Sequence, residues 1–463
     1  MTAPTTAHGL VPALPGSSGY AEAVRVFNEA APARPAAAVT ARDVDGVRAA
    51  VAYAASAGLP VRVHATGHSA GASGPMEGSL LIRTRLDGGV RIDPERRVAR
   101  VPAGSTWSEV LAAAVPHGLT GPHGTSGTVG VVGYLLRGGV SFYGRRVGLA
   151  SNSVLAVEIV TADGEQRRVD AAHDPELFWA LRGGGGGFGV VTAVEVALFP
   201  AAGVVTGAAL WSGRHAERLL ALWRAWAVDA PRVASTSLRI MNLPRIPEIP
   251  AELSAGPVVC VAGAVLAPEH TDLAAANRVA EDLLRPLRAV ARPLEDTWHP
   301  GGPADVPMAH MDPPGPVSVL GDHVLLRELG DAGAAAFLGA ADPTSSSPLV
   351  ATELRQLGGA LAEPGPSGGA LDHLDAAYAY MGAGLPELFP ADLIGERLAR
   401  MRGALGPWDT GRTAPTFVES ADSAQGHLGP DVLAQIARIR ERVDPTGLFR
   451  QDVMAHTAPR RPR

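Results

Sequence analysis

Between Pro35 and Pro200 the apolar positions switch repeatedly between two spacings. Valine and alanine recur every third or fourth place from Val44 to Ala57, the period of a helix buried along one face. Pro60 to His64, Leu80 to Thr84 and Val98 to Pro102 are instead short runs rich in branched apolar residues, which predicts strands. Helical spacing returns from Ser105 to His117. A long glycine-punctuated stretch follows, then a strand-like run from Ser153 to Ala162, the turn Asp163-Gly164 and a strand from Gly189 to Phe199. The alternation predicts a mixed α/β domain.

From about Val204 the rhythm lengthens. Helices are predicted at Ala216 to Ala227 and Asp272 to Val290, and strands at Val258 to Leu266 and Leu349 to Leu354, with Pro/Gly-rich connections such as Glu363 to Gly369. This reads as a second, α+β domain reaching Arg412. A final amphipathic helix, Pro430 to Val443, is stopped by Asp444-Pro445-Thr446-Gly447. With 463 residues, more than one ordinary core serves, the expected division is a lead-in at 1–31, a first domain at 32–201, a second at 202–412 and a C-terminal segment at 413–463.

Composition removes several chemistries. The formal net charge is -6 and no basic block is long enough to neutralise a run of phosphates, so nucleic acid is not an expected partner. All 40 basic residues are arginine, which excludes Schiff-base catalysis by lysine and the lysine of a P-loop. Such a lysine-free chain is what a high-GC bacterial genome would encode. Cys260 is the only cysteine and reads as core packing, so neither an internal disulfide nor a multi-thiolate metal site can form. The 14 histidines show no paired spacing with carboxylates that would suggest a metal. The opening MTAPTTAHGLVPALPGSSGY lacks a basic segment followed by an apolar one, and no run approaches the length of a membrane span. The expectation is a soluble cytoplasmic protein with no membrane partner, a monomer or homodimer.

Three glycine-rich stretches carry the candidate chemistry: Ala65 to Gly74 (ATGHSAGASG), Gly121 to Gly133 (GPHGTSGTVGVVG) and Gly183 to Gly189 (GGGGGFG). Without a Cβ, backbone N–H groups can close on a pyrophosphate, although plain turns use the same residue. None has the placement of a Rossmann fingerprint. Their order and content resemble the FAD-linked oxidases of the vanillyl-alcohol-oxidase and p-cresol methylhydroxylase type, in the bacterial berberine-bridge-enzyme-like branch. Pro15 to Val39 is similar to the family's opening, Pro60 to Gly74 to the loop bearing its flavin-linking histidine, and Gly104 to Gly139 to its central flavin segment. Phe178 to Thr192 is similar to its third loop, Glu353 to Leu361 (ELRQLGGAL) to a stretch of bacterial members, and Asp444 to Arg450 (DPTGLFR) to its C-terminal signature.

The resemblance implies an α+β fold, with a two-part FAD-binding domain, completed by the returning C-terminal segment, and a substrate domain whose antiparallel sheet is flanked by helices. It implies FAD joined covalently to His68, since a neutral ring nitrogen can attack the activated 8α-methyl carbon of the flavin. Some members add a cysteine anchor; Ser126 stands at that position, so a single attachment is expected. Cofactor contacts implied by position are Ala65, Thr66, Gly67 and Ser69 around the pyrophosphate, and Thr125, Ser126, Val129, Gly130, Gly133 and Gly139 along the flavin. Val190 or Val191 would cover the adenine or ring system. Two positions depart from the pattern: His64 replaces an arginine common four residues before the linking histidine, and Gly187 replaces an asparagine.

The catalytic base is the largest departure. Many relatives have Tyr-x-Asn on the C-terminal return, where this chain has Phe417-Val418-Glu419, and Phe417 cannot accept a proton. Glu419 is either a base whose pKa burial has raised or a solvated loop carboxylate. Tyr378 and Tyr380 fall where bacterial relatives turn a His-Arg pair to the substrate, or are packing residues; Tyr143 and Arg145 are further candidates. The implied reaction takes a hydride from a small organic substrate, a secondary metabolite, and passes the electrons to O2 to give hydrogen peroxide. A flavin dehydrogenase with another acceptor, and a flavin-holding protein that binds or cyclises a ligand without redox chemistry, both stay open.

Overall fold

The computed structural model describes residues 10–269, 272–421, 426–450 and 452. Residues 1–9, part of the stretch on which the leader reading rests, and 453–463 lie outside them. Strand β1 (Ala37–Ala41) leads into helix α1 (Val44–Ala57), whose first turn is capped by Asp43 accepting from Gly46 N–H and whose end is turned by Gly58 at φ 63°. Val47, Ala50, Val51 and Ala54 are its buried stripe. With β2 (Val61–His64) and β3 (Leu80–Thr84) it builds a parallel sheet in the order β1-β3-β2. The loop leaving the C-terminal end of β2 carries His68, at the end of the sheet where α/β folds place ligands.

A second sheet is antiparallel. Strands β4 (Arg91–Asp93), β5 (Val98–Pro102), β6 (Val154–Val160), β7 (Gln166–Asp170) and β8 (Val190–Ala197) run in the order β4-β5-β8-β6-β7. The helix expected at 105–117 is α2 (Trp107–Ala114), opened by a Thr106/Glu109 capping box and tightened into a 3₁₀ turn where Pro116 follows. The glycine-rich segment holds a six-residue helix, α3 (Val131–Leu136), too short for a helical period to reveal.

Residues 203–384 build one eight-stranded antiparallel sheet. Strands β9 (Gly203–Ser212), β10 (Ala234–Met241), β11 (Val258–Ala267), β12 (Leu320–Leu326), β13 (Leu349–Gln356) and β14 (Tyr378–Gly384) take the order β9-β11-β10-β13-β14-β12, and short pieces at 295–296 and 299–301 edge β9. Strand alternation sorts the side chains. Leu238, Ile240, Leu354, Tyr378 and Tyr380 pack with Trp211, Trp223 and Phe337 against four helices, α4 (Ala216–Val228), α5 (Leu273–Val290), α6 (Asp331–Ala341) and α7 (Ala391–Leu405). Each fully buried leucine or isoleucine there contributes about 1.5–3 kcal/mol. The opposite face carries Arg239, Cys260, Glu353, Arg355 and Ala379, and Ala379 and Leu325 join the core that also holds Trp107, Phe178 and Val194.

The last helix, α8 (Pro430–Val443), buries Ile436 and Ile439 in that same core. Asp444 accepts from the N–H groups of Leu448 and Phe449 at 2.8 and 2.7 Å, which bends the chain back onto β2. There Val61 N–H donates to Leu448 at 2.8 Å and Val63 N–H to the Asp452 carboxylate at 3.0 Å.

Candidate cofactor and substrate site

Beyond β2 the chain turns at Gly67, φ 76°, where a Cβ would lie 2.6 Å from Val26 Cα; only glycine lets the loop rest on the N-terminal segment. That approach stacks Phe27 on His68, ring centroids 3.7 Å apart and 14° from parallel. His68 Nε2 lies 3.0 Å from Thr128 Oγ1, itself 2.9 Å from Ser126 Oγ. Burial lowers the imidazole to about 4, against the opposing pull of Thr128 and Asp312. The ring is therefore neutral near pH 7, as a nucleophilic nitrogen must be. His64 instead bonds Ala23 O at 2.9 Å and tethers the loop's base to the N-terminal segment.

Backbone closes in around this histidine. A Cβ on Gly71 would meet Glu419 O at 2.1 Å, on Gly127 Ser108 Oγ at 2.1 Å, and on Gly139, φ 72°, the Tyr134 ring at 2.4 Å. Ala65, Thr66, Ser69, Thr125, Ser126 and Val129 are half-buried along the opening, Gly130 and Gly139 lie beneath them, and Gly133 is exposed. Gly130 N–H donates to Thr66 Oγ1 at 3.3 Å and Gly139 N–H to Thr416 Oγ1 at 3.1 Å. Arg137 adds a cation: its Nη1 is buried with no hydrogen-bond partner, and burial lowers the guanidinium to about 10 against the opposing charges of Asp452 and Glu419. A buried cation with an unused donor beside glycine-rich backbone fits a diphosphate, and a neutral His68 fits attachment to a flavin methyl. The donor set therefore suits FAD, which Arg137, the 65–69 loop and the 125–139 segment would hold.

Glu419 lies across the opening. Asn28 donates to its Oε2 at 3.4 Å, and a Cβ on Gly321 would touch its Cγ at 2.9 Å. Burial raises its carboxyl to about 7, only partly offset by Asn28 and Arg137, and the residue as a whole is half-buried. Of the two readings of Glu419, the geometry supports the enclosed acid over the solvated one. Asp452, near Arg62, Arg137 and Arg440, is likewise raised by burial, to about 6.

A second group of charges reaches the opening from the sheet. His310 and Asp312 stand in the loop before β12, and Glu353 and Arg355 on β13; Asp312 also bonds Thr125, and Arg355 lies over the Phe417 ring at 5.3 Å.

The structure does not bring every expected residue here. Tyr378 and Tyr380 leave the other face of β14 and pack in the helical core. Tyr143 is wedged edge-on between His123 and Phe199. Arg145 is buried and donates to the carbonyls of Ala230, Ala234 and Leu357, a structural clamp. Val190 and Val191 are 0% and 4% exposed, sealed in two different cores because neighbours on a strand point oppositely. Phe27, Asn28, Thr128, Arg137, His310, Asp312 and Asp452 line or support the site without having been singled out from sequence. Only Arg137, a charge inside the run Tyr134-Leu-Leu-Arg-Gly-Gly139, had a local signal.

Among the described residues no group of His, Cys, Asp or Glu could hold a metal ion, and no helix is long and apolar enough to cross a membrane. Residues 35–170 match the family model described as FAD binding domain. An (R)-6-hydroxynicotine oxidase of Paenarthrobacter nicotinovorans is 33% identical over 185 residues, 40% of this chain and 40% of that protein. A xylooligosaccharide oxidase of Thermothelomyces thermophilus is 33% identical over 183 residues, 39% of this chain and 37% of that one. The chain's match thus spans about 40% of the length of these curated relatives. The crystal structure of 6-hydroxy-D-nicotine oxidase from Arthrobacter nicotinovorans superposes with a TM-score of 0.81 at 24% identity, over 96% of this chain and 97% of that one. Wild-type BBE-like 1 of Physcomitrella patens gives 0.77 at 19%, over 97% and 98%. The fold is the FAD-binding PCMH-type fold of mixed helices and antiparallel sheets.

Proposed function

We propose that the chain is an FAD-linked oxidase that takes a hydride from a small organic substrate, a secondary metabolite, and passes the electrons to O2. The FAD is joined once, through His68. The observation that carries this reading is the grouping of a neutral Phe27-stacked His68, a glycine-lined backbone cradle with Arg137, and the enclosed Glu419. Relatives named as oxidases support the reaction class. Bound FAD supplies the two-electron acceptor. The chain's own residues do the rest: Phe27 and Thr128 fix the imidazole plane, the sheet and loops exclude water, and Glu419 takes the substrate's O–H or N–H proton.

The test is to mix the purified yellow protein anaerobically with a panel of alcohols, amines and phenols and to follow the flavin band. Bleaching, then equimolar peroxide on admitting air, is the expected result. Bleaching without peroxide would replace the oxidase by a dehydrogenase, and a protein that holds no flavin would end the proposal.

Glu419 also sets a pH dependence. A base must be deprotonated, so with its carboxyl near 7 the rate is expected to rise with pH through that value and level off above it. Glu419→Gln should lower the rate roughly 10²-fold or more and remove the acidic limb of the profile. An unchanged limb in the variant would assign the proton to another group.

A further inference from the structure

One buried cluster is used neither by the cofactor cradle nor by Glu419. Arg239 on β10 pairs across the sheet with Glu353 on β13, and Arg355 follows on the same face. His310 and Asp312 close on them from the loop before β12. Each carboxylate oxygen already has a polar neighbour. Glu353 Oε1 accepts from Arg355 Nε at 2.8 Å and Asp312 Oδ2 from Thr125 Oγ1 at 2.7 Å, while His310 Nε2 lies 3.0 Å from Glu353 Oε2 and Nδ1 2.7 Å from Asp312 Oδ1. His310 thus lies between the two carboxylates. Arg355 Nη2 lies 3.1 Å from His310 Nε2.

Two guanidiniums, Arg239 and Arg355, face the carboxylates of Glu353 and Asp312, and their donors are not all used. Arg239 Nε is buried without a partner, and its Nη2 meets only the weakly accepting Cys260 sulfur at 3.3 Å. Arg355 Nη1 has no hydrogen-bond partner among the described residues. Its guanidinium, with a side chain 7% exposed, lies 5.2 Å from the Phe142 ring and 5.3 Å from the half-buried Phe417 ring. The buried, unpartnered Arg239 Nε is costly to leave so, whereas the unused Arg355 Nη1 is not sealed off and is the donor an anion can reach. Asp312, 28% exposed and bonded to Thr125, puts the cluster at the edge of the opening that holds His68.

We propose that this cluster is an anion subsite, and that the substrate carries a carboxylate or similar single negative charge, held by Arg355 beside Phe417. The inference rests on the oxidase reading and names the substrate class for it.

The test titrates the flavin-bearing protein with benzoate and with its neutral isostere benzamide, following the flavin spectrum and, in parallel, the heat of binding. Benzoate is expected to bind saturably and at least tenfold more tightly than benzamide. Arg355→Met should weaken benzoate at least tenfold and leave benzamide unmoved, and Arg355→Lys should restore part of the difference. Equal binding of the two probes, or an Arg355→Met protein that holds benzoate as wild type does, would overturn the subsite. So would an Arg355→Met protein that keeps benzoate but loses sulfite addition to the flavin, since the charge would then serve the reduced cofactor. If Arg355→Met does not fold, the benzoate-to-benzamide ratio in wild type and Arg355→Lys decides. Because the heat of binding needs no colour, a flavin-free protein would fail the oxidase reading while still reporting on the subsite.

Discussion

Replacement of His68 by alanine is expected to move all flavin from the acid-precipitated pellet into the supernatant, leaving the fold and reversible FAD binding in place. The expectation follows from separate duties within the opening. Arg137 and the glycine-lined backbone at 65–74 and 121–139 can hold a diphosphate whatever stands at position 68, whereas bonding to the ring methyl needs a neutral nitrogen facing it. Burial keeps the imidazole uncharged, Phe27 fixes its plane and Thr128 engages Nε2 at 3.0 Å, so the ring has little freedom left to lose. Intact mass should show the wild-type chain heavier by one FAD and the variant at its polypeptide mass. A yellow pellet from the variant would place the link on another residue; a colourless wild-type pellet would keep FAD but abolish the bond.

Glu353→Ala is expected to cost about 3–5 kcal/mol of stability, the range found when one partner of a buried ion pair is removed and the other stays. Glu353 is 4% exposed and is the residue in contact with both Arg355 and His310, so its loss leaves Arg355 and Arg239 with Asp312 as the nearest anion. Urea unfolding should show a lower midpoint with an unchanged slope. The pH dependence gives the sign. Burial pushes the carboxyl up, but Arg355, His310 and Arg239 outweigh it and hold it below its ordinary 4.5. The stabilisation is therefore present above that pH and fades as pH falls below it, so wild type and variant should converge in acid. A constant gap down to low pH would mean that lost packing, not lost charge, is what the substitution measures.

How much of this was legible in the sequence depends on the range of the forces involved. α1, β2, β3 and β5 were readable because one apolar period serves both local conformation and burial. The Ala-Tyr-Ala-Tyr run behaved differently: its alternation is that of a strand, but which face meets the flavin domain is fixed by pairing with β12 and β13. Tyr378 and Tyr380 thus went to the helices, while Arg355, opposite Ala379, went to the site. His68 was legible because its loop has a recognisable local chemistry. Asn28 and Glu419 meet from positions 391 residues apart, and no window of sequence contains that contact. Arg137 could have been noticed as a lone charge in an apolar, glycine-ended run, though nothing local says what it faces.

The clasp of the chain's late residues onto β2 bears on how the protein is made. Val63 and Asp452 are 389 positions apart, yet their hydrogen bond forms one wall of the region around Arg137. A ribosome that has released all three strands of the parallel sheet has not yet released the residues that pair with this edge of β2. Until then β2 offers unpaired N–H groups to water. A chain cut before residue 452 is therefore expected to leave β2 unpaired at this edge, and a lower share of flavin retained in its acid pellet would report that loss.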